Sequence, residues 1–370
     1  MSTGHPRLLV LTPDYPPAAG GIQHVAERVV EHLDGGFEVR VVTLGSADGP
    51  EAGPGGAAVR RVPEWGSRRA GNVLLNLRGI GEAVAFGPRI VLSVHIATSP
   101  AAALVQRHLG APFVQYLHAD EVTARPALAR FAVCRATACI AVSRHTAALA
   151  CAAGAAPRRV HIVPPGVDLP AATTSEPKDP RPTIVTVARL VDRYKGHDVM
   201  LRALPAVIER VPEVQWVVVG DGPLGPELRT TAEELGLGAH VRFVGTVEDR
   251  ERDRRLGRAH VFAMPSRLSP EGGGEGFGIV YMEAAAHGLP AVAGNVGGAT
   301  DAIVDGRTGV LVDPSNPAAV AAALADLLED PERVRAMGAA GRERAAEFTW
   351  PSIGERLDEL LREVLAAQAR

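Results

Sequence analysis

The chain has 370 residues, more than one hydrophobic core usually organises, so two domains are expected. Hydrophobic residues make up 46% of the chain and charged residues 22%, a balance that supports buried cores and argues against intrinsic disorder. The formal net charge of -3 gives no sign of a strongly basic face, which argues against nucleic acid as the principal partner.

The cysteines and the first residues indicate the compartment. Cys134, Cys139 and Cys151 are odd in number and lack paired C-x-x-C spacing, so neither a disulfide framework nor a zinc site is predicted. Residues 1–6 contain no basic segment followed by an apolar core, and no apolar run reaches about 18 residues. We therefore expect a cytoplasmic protein, with peripheral contact to the inner face of the membrane left open.

The first predicted strand, residues 7–12, leads into a loop that contains Gly20 and Gly21, and helical periodicity follows over residues 22–33. The order of strand, glycine-rich loop and helix lets backbone amides approach an anion closely. An ordinary strand-to-helix turn has the same pattern, so both interpretations stay open at this point.

Alternating strands and helices continue through the first half of the chain. The further strands are predicted at residues 37–43, 58–62, 89–94, 112–117 and 138–142. This alternation predicts an α/β fold with a doubly wound parallel sheet, in which ligands bind beyond the carboxyl ends of the strands. His95 and His118 each follow a predicted strand, and His118 is the stronger functional candidate because Asp120 and Glu121 lie beside it.

The segment from Arg125 to Arg135 alternates arginine with apolar residues. As a helix it would be amphipathic and basic, which suits an anionic membrane surface, but a solvated helix face is favoured because the whole chain is rich in arginine.

A second sheet is predicted after a linker. Residues 169–182 lack periodicity and are rich in Pro, Thr and Ala. A strand at residues 183–188 then leads into a loop with Arg189 and Lys195, and a helix follows over residues 197–210. Lys195 is one of only two lysines among 39 basic residues, and an arginine with a lysine on one loop can clamp a diphosphate from two sides.

A literal G-x-G-x-x-G, at Gly220, Gly222 and Gly225, follows the next predicted strand. By itself it predicts dinucleotide binding, and an NAD-dependent oxidoreductase is the alternative from another enzyme class. Pro223 removes one amide from such a cradle, and the motif lies in the second βα unit of its domain.

The loop before residue 279 holds a pair of glutamates. Glu275 closes the glycine-rich loop and Glu283 lies eight positions later, about two turns into a predicted helix. Two carboxylates at this spacing can reach one ligand from different directions. The glycines at 276 and 278 let backbone amides point together at the helix start, where an anion binds.

These motifs together resemble the retaining family 4 glycosyltransferases of the GT-B fold. The E-x7-E pair, the R-x5-K-G run that begins at Arg189 and the turn at residues 163–168 carry the resemblance, which covers nearly the whole chain in order. The stretches at residues 275–281, 20–23 and 164–168 look particularly like the actinobacterial phosphatidylinositol mannoside mannosyltransferases.

The resemblance implies two doubly wound Rossmann-like domains that face each other across a cleft. Its implied boundaries are an acceptor-side domain at residues 1–168, the linker at 169–182, a nucleotide-sugar-binding domain at 183–349 and a final helix at 350–370 that crosses back to the first domain.

The resemblance also implies roles for individual residues. The implied catalytic residues are His118, Arg189, Lys195 and Glu275. The implied donor-binding residues are Gly20, Gly21, Arg189, Lys195, Gly245, Val247, Gly276, Phe277, Gly278 and Glu283. Asp14 and Asp120 are assigned to the acceptor side. Arg189 and Lys195 would hold the phosphates, Glu275 the hydroxyls of the donor sugar and Glu283 those of the ribose.

The implied reaction is retaining transfer of a hexosyl group from a nucleotide sugar, with GDP-mannose favoured, to a hydroxyl on a lipid or small molecule. No D-x-D triplet occurs in the sequence, so we expect no metal and no cofactor, with cationic side chains in their place. The alternatives are a UDP-sugar-dependent transferase for natural products or aminocyclitols, a GT-B-fold sugar epimerase and a non-catalytic sensor. Two departures keep them open: Ala119 stands where the family often has glycine, and residues 271–274 lengthen the loop before Glu275.

Overall fold

The computed structural model describes residues 5–368, except residues 19, 34, 47–49, 65 and 171–175. The chain divides into two compact units: residues 1–166 with 350–370, and residues 167–349. Five residues of the predicted linker, 171–175, lie outside the described residues. The linker residues after them are tied to the second unit, since Lys178 Nζ donates to the Ala259 carbonyl at 2.6 Å and Asp179 pairs with Arg258 at 2.5 Å.

The first unit is built on an eight-stranded sheet, with β3 antiparallel at one edge and the other strands parallel. The strands are β1 (Arg7–Leu11), β2 (Glu38–Leu44), β3 (Pro50–Ala52), β4 (Ala58–Val62), β5 (Ile90–Ser93), β6 (Phe113–Leu117), β7 (Ala138–Ala141) and β8 (Val160–Ile162). Their order is β3-β4-β2-β1-β5-β6-β7-β8, so the direction of winding reverses between β1 and β5. The central strands are apolar on both faces because helices cover both faces of a doubly wound sheet.

The helices of the first unit include the last helix of the chain. They are α1 (Gly21–Leu33), α2 (Arg68–Phe86), α3 (Ser99–Leu109), α4 (Asp120–Ala124), α5 (Pro126–Arg135), α6 (Arg144–Ala152) and α14 (Trp350–Gln368). Helix α14 packs on α1, and its buried residues Ile353, Leu357, Leu360 and Leu361 recur at helical spacing.

The second unit has a six-stranded parallel sheet. Its strands are β9 (Thr183–Val187), β10 (Gln215–Val219), β11 (Val241–Gly245), β12 (Val261–Met264), β13 (Ala291–Gly294) and β14 (Gly309–Val312). Its helices are α7 (His197–Arg210), α8 (Gly225–Glu234), α9 (Asp249–Arg258), α10 (Ile279–Ala286), α11 (Ala299–Ala302), α12 (Pro317–Leu328) and α13 (Pro331–Ala346). The order β11-β10-β9-β12-β13-β14 reverses between β9 and β12, and ligands bind at this point in such sheets.

The predicted fold class is confirmed: both units are α/β with parallel sheets. The strand at residues 58–62 and the helix at 197–210 have the predicted bounds. Strands β3 and β8 were not predicted. Each is an edge strand of three residues, which is too short to show a periodic pattern, and β8 is also only partly buried.

Candidate active site

The loops after β9 and β12 lie side by side because these strands are neighbours in the sheet of the second unit. Lys195 lies on the first loop and Glu275 on the second. Lys195 Nζ donates to Glu275 Oε2 at 2.5 Å, and the two side chains are only 17% and 14% exposed. The structure therefore brings together two of the predicted catalytic residues from positions 80 residues apart.

The pair has a strong electrostatic coupling. Burial acts against the charged form of Lys195, but the charge and the hydrogen bond of Glu275 outweigh it and raise the pKa of Lys195 above its usual value. Lys195 is therefore a cation throughout the neutral range. Removal of one partner would leave the other charge half-buried and uncompensated, which typically costs about 3–5 kcal/mol for a fully buried pair and less here.

The turn at residues 275–278 is held by close backbone packing. Gly278 has φ +87°, and a Cβ there would lie 2.3 Å from the Tyr281 ring. Tyr281 Oη donates to the Met264 carbonyl at 2.7 Å, which fixes the start of α10 to the end of β12. Gly298 N donates to the Glu275 carbonyl at 2.8 Å. Gly278 begins α10 as its N-cap, so this turn presents amides at a helix N-terminus.

Arg189 lies on the same loop as Lys195 but is exposed. Among the described residues it has no ion-pair partner, so its guanidinium is available to an anion. The backbone beside it packs against the G-x-G-x-x-G: a Cβ at Gly220, which has φ +129°, would lie 2.0 Å from the Ala188 carbonyl. That contact explains why glycine is needed at residue 220, in a tight packing of two loops.

Glu283 lies on α10 and faces a mixed set of charges. Its Oε1 lies 3.9 Å from Arg252 Nη1, and Arg252 also donates to Asp249 and Asp253 on its own helix α9. Burial raises the pKa of Glu283; Arg252 lowers it, while Asp249, Asp253 and Asp168 raise it further. Burial and the carboxylates prevail, so the pKa lies above its usual value.

The other predicted donor-binding residues of the second unit are Gly245, Val247 and Phe277. Gly245, at the end of β11, has φ +72° and accepts a hydrogen bond from Gly220 N at 2.8 Å. Val247 follows it and is half-buried. The Phe277 side chain is buried against Phe348, with ring centroids 5.8 Å apart, so any contact of Phe277 with a ligand involves its main chain.

Asp14 lies in the loop after β1 of the first unit and is 5% exposed. Its Oδ1 accepts hydrogen bonds from Arg68 Nη2 at 2.6 Å and from Gln23 Nε2 at 3.1 Å. Gly20 and Gly21 lie between Asp14 and Gln23 on this loop and at the start of α1. Their predicted contact with the donor, like the acceptor role of Asp14, stays a prediction.

His118 follows β6 and is fixed by the scaffold. Its Nε2 lies 2.9 Å from the Val94 carbonyl, which only accepts, so Nε2 donates this hydrogen bond. Glu121 Oε1 accepts from the His118 backbone N at 2.8 Å. The acid at the third position after the histidine therefore holds the main chain of this turn. Asp120 begins α4 and is half-buried.

Ala119, between these residues, has φ +89° and ψ -69° and is fully buried. Positive φ favours glycine, so the alanine that departs from the family pattern is strained.

The basic segment from Arg125 to Arg135 corresponds to α5. Leu128 and Val133 pack into the core of the first unit, while Arg130, Phe131 and Arg135 are exposed. Part of the apolar face is thus used inside the fold, and membrane contact by α5 stays a prediction.

Two family models match the chain, one in each half. "Glycosyltransferase Family 4" matches residues 19–170 and "Glycosyl transferases group 1" matches residues 172–344. A mannosyltransferase of Mycolicibacterium smegmatis, described as GDP-mannose-dependent alpha-(1-6)-phosphatidylinositol monomannoside mannosyltransferase, is 36% identical over 96% of this chain and 98% of its own length. The chain belongs to the family 4 glycosyltransferases.

A second similar protein and two solved structures support the same family and fold. The protein of the same description from Mycobacterium tuberculosis is 34% identical over 96% of this chain and 98% of its own length. Sucrose-phosphate synthase from Thermosynechococcus elongatus superposes with a TM-score of 0.85 at 22% identity, covering 98% of this chain and all of that one. HepE of Anabaena in complex with UDP gives a TM-score of 0.78 at 20% identity over 96% of this chain and all of its own. These likenesses show the GT-B fold.

Three interactions at or near the predicted site residues were not predicted from the sequence. They are the Arg252–Glu283 pair, the Arg68–Asp14 pair and the ion pair of Arg267 with Asp198. Arg267 lies in the predicted glutamate loop. The chain is so rich in arginine that an arginine in this loop did not by itself indicate a functional residue. None of the helices in the described ranges has the length and apolar character needed to cross a bilayer.

Proposed function

We propose that this glycosyltransferase moves a mannosyl group from GDP-mannose to a hydroxyl of a lipid or small-molecule acceptor, with retention at the anomeric carbon and without a metal. The observation that carries the proposal is the Lys195–Glu275 pair, which lies where the strand order of the second unit reverses. The similar proteins described as GDP-mannose-dependent mannosyltransferases support the choice of donor.

The main task is to stabilise the departing diphosphate. As the bond between the anomeric carbon and the phosphate oxygen breaks, negative charge grows on the diphosphate and the sugar gains oxocarbenium character. Lys195, held by its ion pair with Glu275, and the exposed Arg189 are cations on one loop, and the amides at residues 276–278 are additional donors. These groups together would do the work of a metal ion.

The glutamates would then hold hydroxyl groups. Glu275 already accepts from Lys195, and its second oxygen is left for hydroxyls of the donor sugar. Glu283 would accept from the ribose hydroxyls, a role that needs its ionised form. Arg252 favours that form.

Retention follows when the acceptor attacks from the face that the diphosphate leaves. The acceptor oxygen bonds to the anomeric carbon, the carbon–phosphate oxygen bond breaks, and the acceptor proton passes to the leaving phosphate. No protein nucleophile is required. On the first unit, Asp14 with Arg68 and Gln23, and His118 through its ring, are the groups that we assign to the acceptor side and to the sugar.

A peripheral membrane contact would bring a lipid acceptor to the enzyme, and α2 offers a surface for it. Val73, Leu77 and Val84 recur on one side of this helix and are 62%, 62% and 68% exposed. Arg69 lies on the same side and is exposed, which suits anionic headgroups. We propose that α2 contacts the membrane.

The donor is tested with the purified protein and a panel of GDP- and UDP-sugars, with phosphatidylinositol mannoside, inositol and aminocyclitols as acceptors, and with and without a metal chelator. We expect transfer from GDP-mannose that survives the chelator and gives an alpha linkage. Preference for a UDP-sugar, dependence on a metal ion, or an inverted linkage would each contradict the corresponding part of the proposal. Sugar rearrangement without an acceptor would indicate an epimerase, and binding without turnover a sensor.

Membrane contact is tested by sedimentation with vesicles that contain phosphatidylinositol. We expect Leu77→Glu to weaken binding to these vesicles. Leu235→Glu, a change at a similarly apolar and 43% exposed residue of the second unit, is the matched control. Equal binding by both variants would contradict a role for α2.

A further inference from the structure

Arg267 links the two loops that carry Lys195 and Glu275. Its guanidinium pairs with both oxygens of Asp198, at 2.7 Å from Nη2 to Oδ1 and 3.1 Å from Nη1 to Oδ2. Arg267 Nη2 also donates to the Arg193 carbonyl at 2.6 Å. Both terminal nitrogens of Arg267 are therefore bonded to groups that flank Lys195 in the chain.

The main chain reinforces this link. Arg267 N donates to the Tyr194 carbonyl at 2.7 Å, next to Lys195. Gly196 has φ +80°, and a Cβ there would lie 2.2 Å from the Pro265 carbonyl. The segment at residues 265–267 thus lies against the turn at residues 193–196 without room for a side chain between them.

The ion pair is well placed to stay charged. Arg267 and Asp198 are 25% and 26% exposed, so solvent screens them only partly. Burial raises the pKa of Asp198, but hydrogen bonds and charges from Arg267 and Arg202 outweigh it and lower the pKa below its usual value. Asp198 also lies in the first turn of α7, where a helix favours negative charge.

We propose that Arg267, through Asp198 and the Arg193 carbonyl, is a positioning residue that fixes the Glu275 loop relative to the Lys195 loop, so that a nucleoside diphosphate sugar meets both at once. The inference rests on the proposed function of this site. Arg267 acts on the donor through Lys195 and Glu275, since the hydrogen bonds of its terminal nitrogens go to the scaffold.

A positioning role predicts that loss of Arg267 changes kcat for sugar transfer much more than the affinity for GDP. Nucleoside diphosphate draws its charged contacts from Lys195 and Arg189, with the amides at residues 276–278 as weaker neutral donors, whereas the sugar of the complete donor also needs Glu275. In Arg267→Gln we expect affinity for GDP to change by less than about threefold, while kcat for transfer falls by at least about tenfold. Asp198→Asn should give the same split, and Arg267→Lys, which keeps the charge but not the fork, should recover part of the loss.

The matched control is Arg202→Gln. Arg202 pairs with the same carboxylate at 2.8 Å, is 52% exposed, and lies on α7 with Asp198, so it does not join the two loops. We expect its kcat to stay within about twofold of wild type. In the double variant Arg267→Gln with Asp198→Asn, the loss should match that of Arg267→Gln alone, because Arg267→Gln already removes the bonds to Asp198 and to the Arg193 carbonyl.

Transfer by wild type, measured with whichever nucleotide sugar the panel selects, separates this inference from the proposed function. Absence of wild-type transfer would overturn both. If wild type transfers and the two single variants match it, only the positioning role is overturned. A GDP affinity that falls as far as kcat, additive losses in the double variant, or an equal loss in Arg202→Gln would each overturn it as well. Thermal unfolding of every variant shows whether a loss comes from unfolding, and Asp198→Asn, nearly identical in shape, keeps the test valid if Arg267→Gln does not fold.

Discussion

The sites of the two units use charge differently. In the second unit Lys195 and Glu275 pair across two loops, so each can turn part of its bonding capacity to a ligand. In the first unit one oxygen of Asp14 accepts from both Gln23 on α1 and Arg68 at the start of α2, so the side chain is held in place by two helices. The comparison suggests that the second unit is built to meet fixed charge, as on a diphosphate, and the first to present shaped polar groups to a hydroxyl-bearing acceptor.

The largest expected effect lies in the second unit. If Lys195 and Glu275 bind the donor as proposed, Lys195→Ala or Glu275→Ala should lower the rate of sugar transfer by about a hundredfold or more. Each change also leaves the charge of the remaining partner uncompensated. The measurement is transfer from the donor selected in the panel, with circular dichroism to confirm folding.

The control for this pair is Arg193→Ala, which removes an exposed arginine on the same short turn that pairs with Glu227. Its rate should stay within about twofold of wild type. If folded Lys195→Ala transfers sugar at the wild-type rate, the Lys195–Glu275 pair has no role in catalysis. The proposed difference between the two units would then be wrong.

Asp14→Asn tests the role proposed for the first unit, which is binding of the acceptor. The asparagine keeps an oxygen for Gln23 but loses the charge that holds Arg68. We expect the KM for the acceptor to rise by about tenfold, with the affinity for GDP unchanged, because a charged hydrogen bond contributes about 1.5–3 kcal/mol. Steady-state kinetics with varied acceptor, alongside GDP titration, make the measurement. A change confined to GDP affinity would reverse the assignment of the two sites.

The pair of Arg252 with Glu283 predicts a pH effect. Arg252→Gln removes the cation that lowers the pKa of Glu283, so the pKa rises further and the ionised form is lost at a higher pH. The KM for the donor should rise several-fold, and the rise should grow as the pH falls. Arg254→Gln, on the same helix but paired with Glu251, is the control. Parallel pH profiles for Arg252→Gln and wild type would contradict the coupling.

The smallest expected effect concerns Ala119. Ala119→Gly removes the strain of a positive φ and should raise the free energy of unfolding by about 1 kcal/mol after the entropic cost of glycine is subtracted. Transfer should stay within about twofold of wild type. Denaturant unfolding measures the change, and Ala136→Gly, buried with an ordinary φ of -60°, should instead lower stability. Equal destabilisation by both changes would show that residue 119 is not strained.

The sequence predicted the fold, and it singled out Lys195 and Glu275, which the structure brings into contact, because glycine turns and rare charged residues leave a local pattern. The roles of these residues stay predictions. The partners of those groups were harder to predict. Arg267 and Asp198 lie 69 residues apart, and no periodicity connects them. Whether the glutamate at residue 121 acts on a ligand or on a backbone amide was equally invisible, since both roles use the same residue at the same spacing.

The position of α14 has a consequence for biosynthesis. The first unit is assembled from the two ends of the chain, with Trp350 packed between α1 and Gly166. A ribosome therefore releases all residues of the second unit before it supplies the helix that covers α1. Until then the side of α1 that carries His24 and His32 lacks Trp350 and the rest of α14, so newly made protein should depend on chaperones late in translation, and a stop codon before residue 350 should yield an aggregating product.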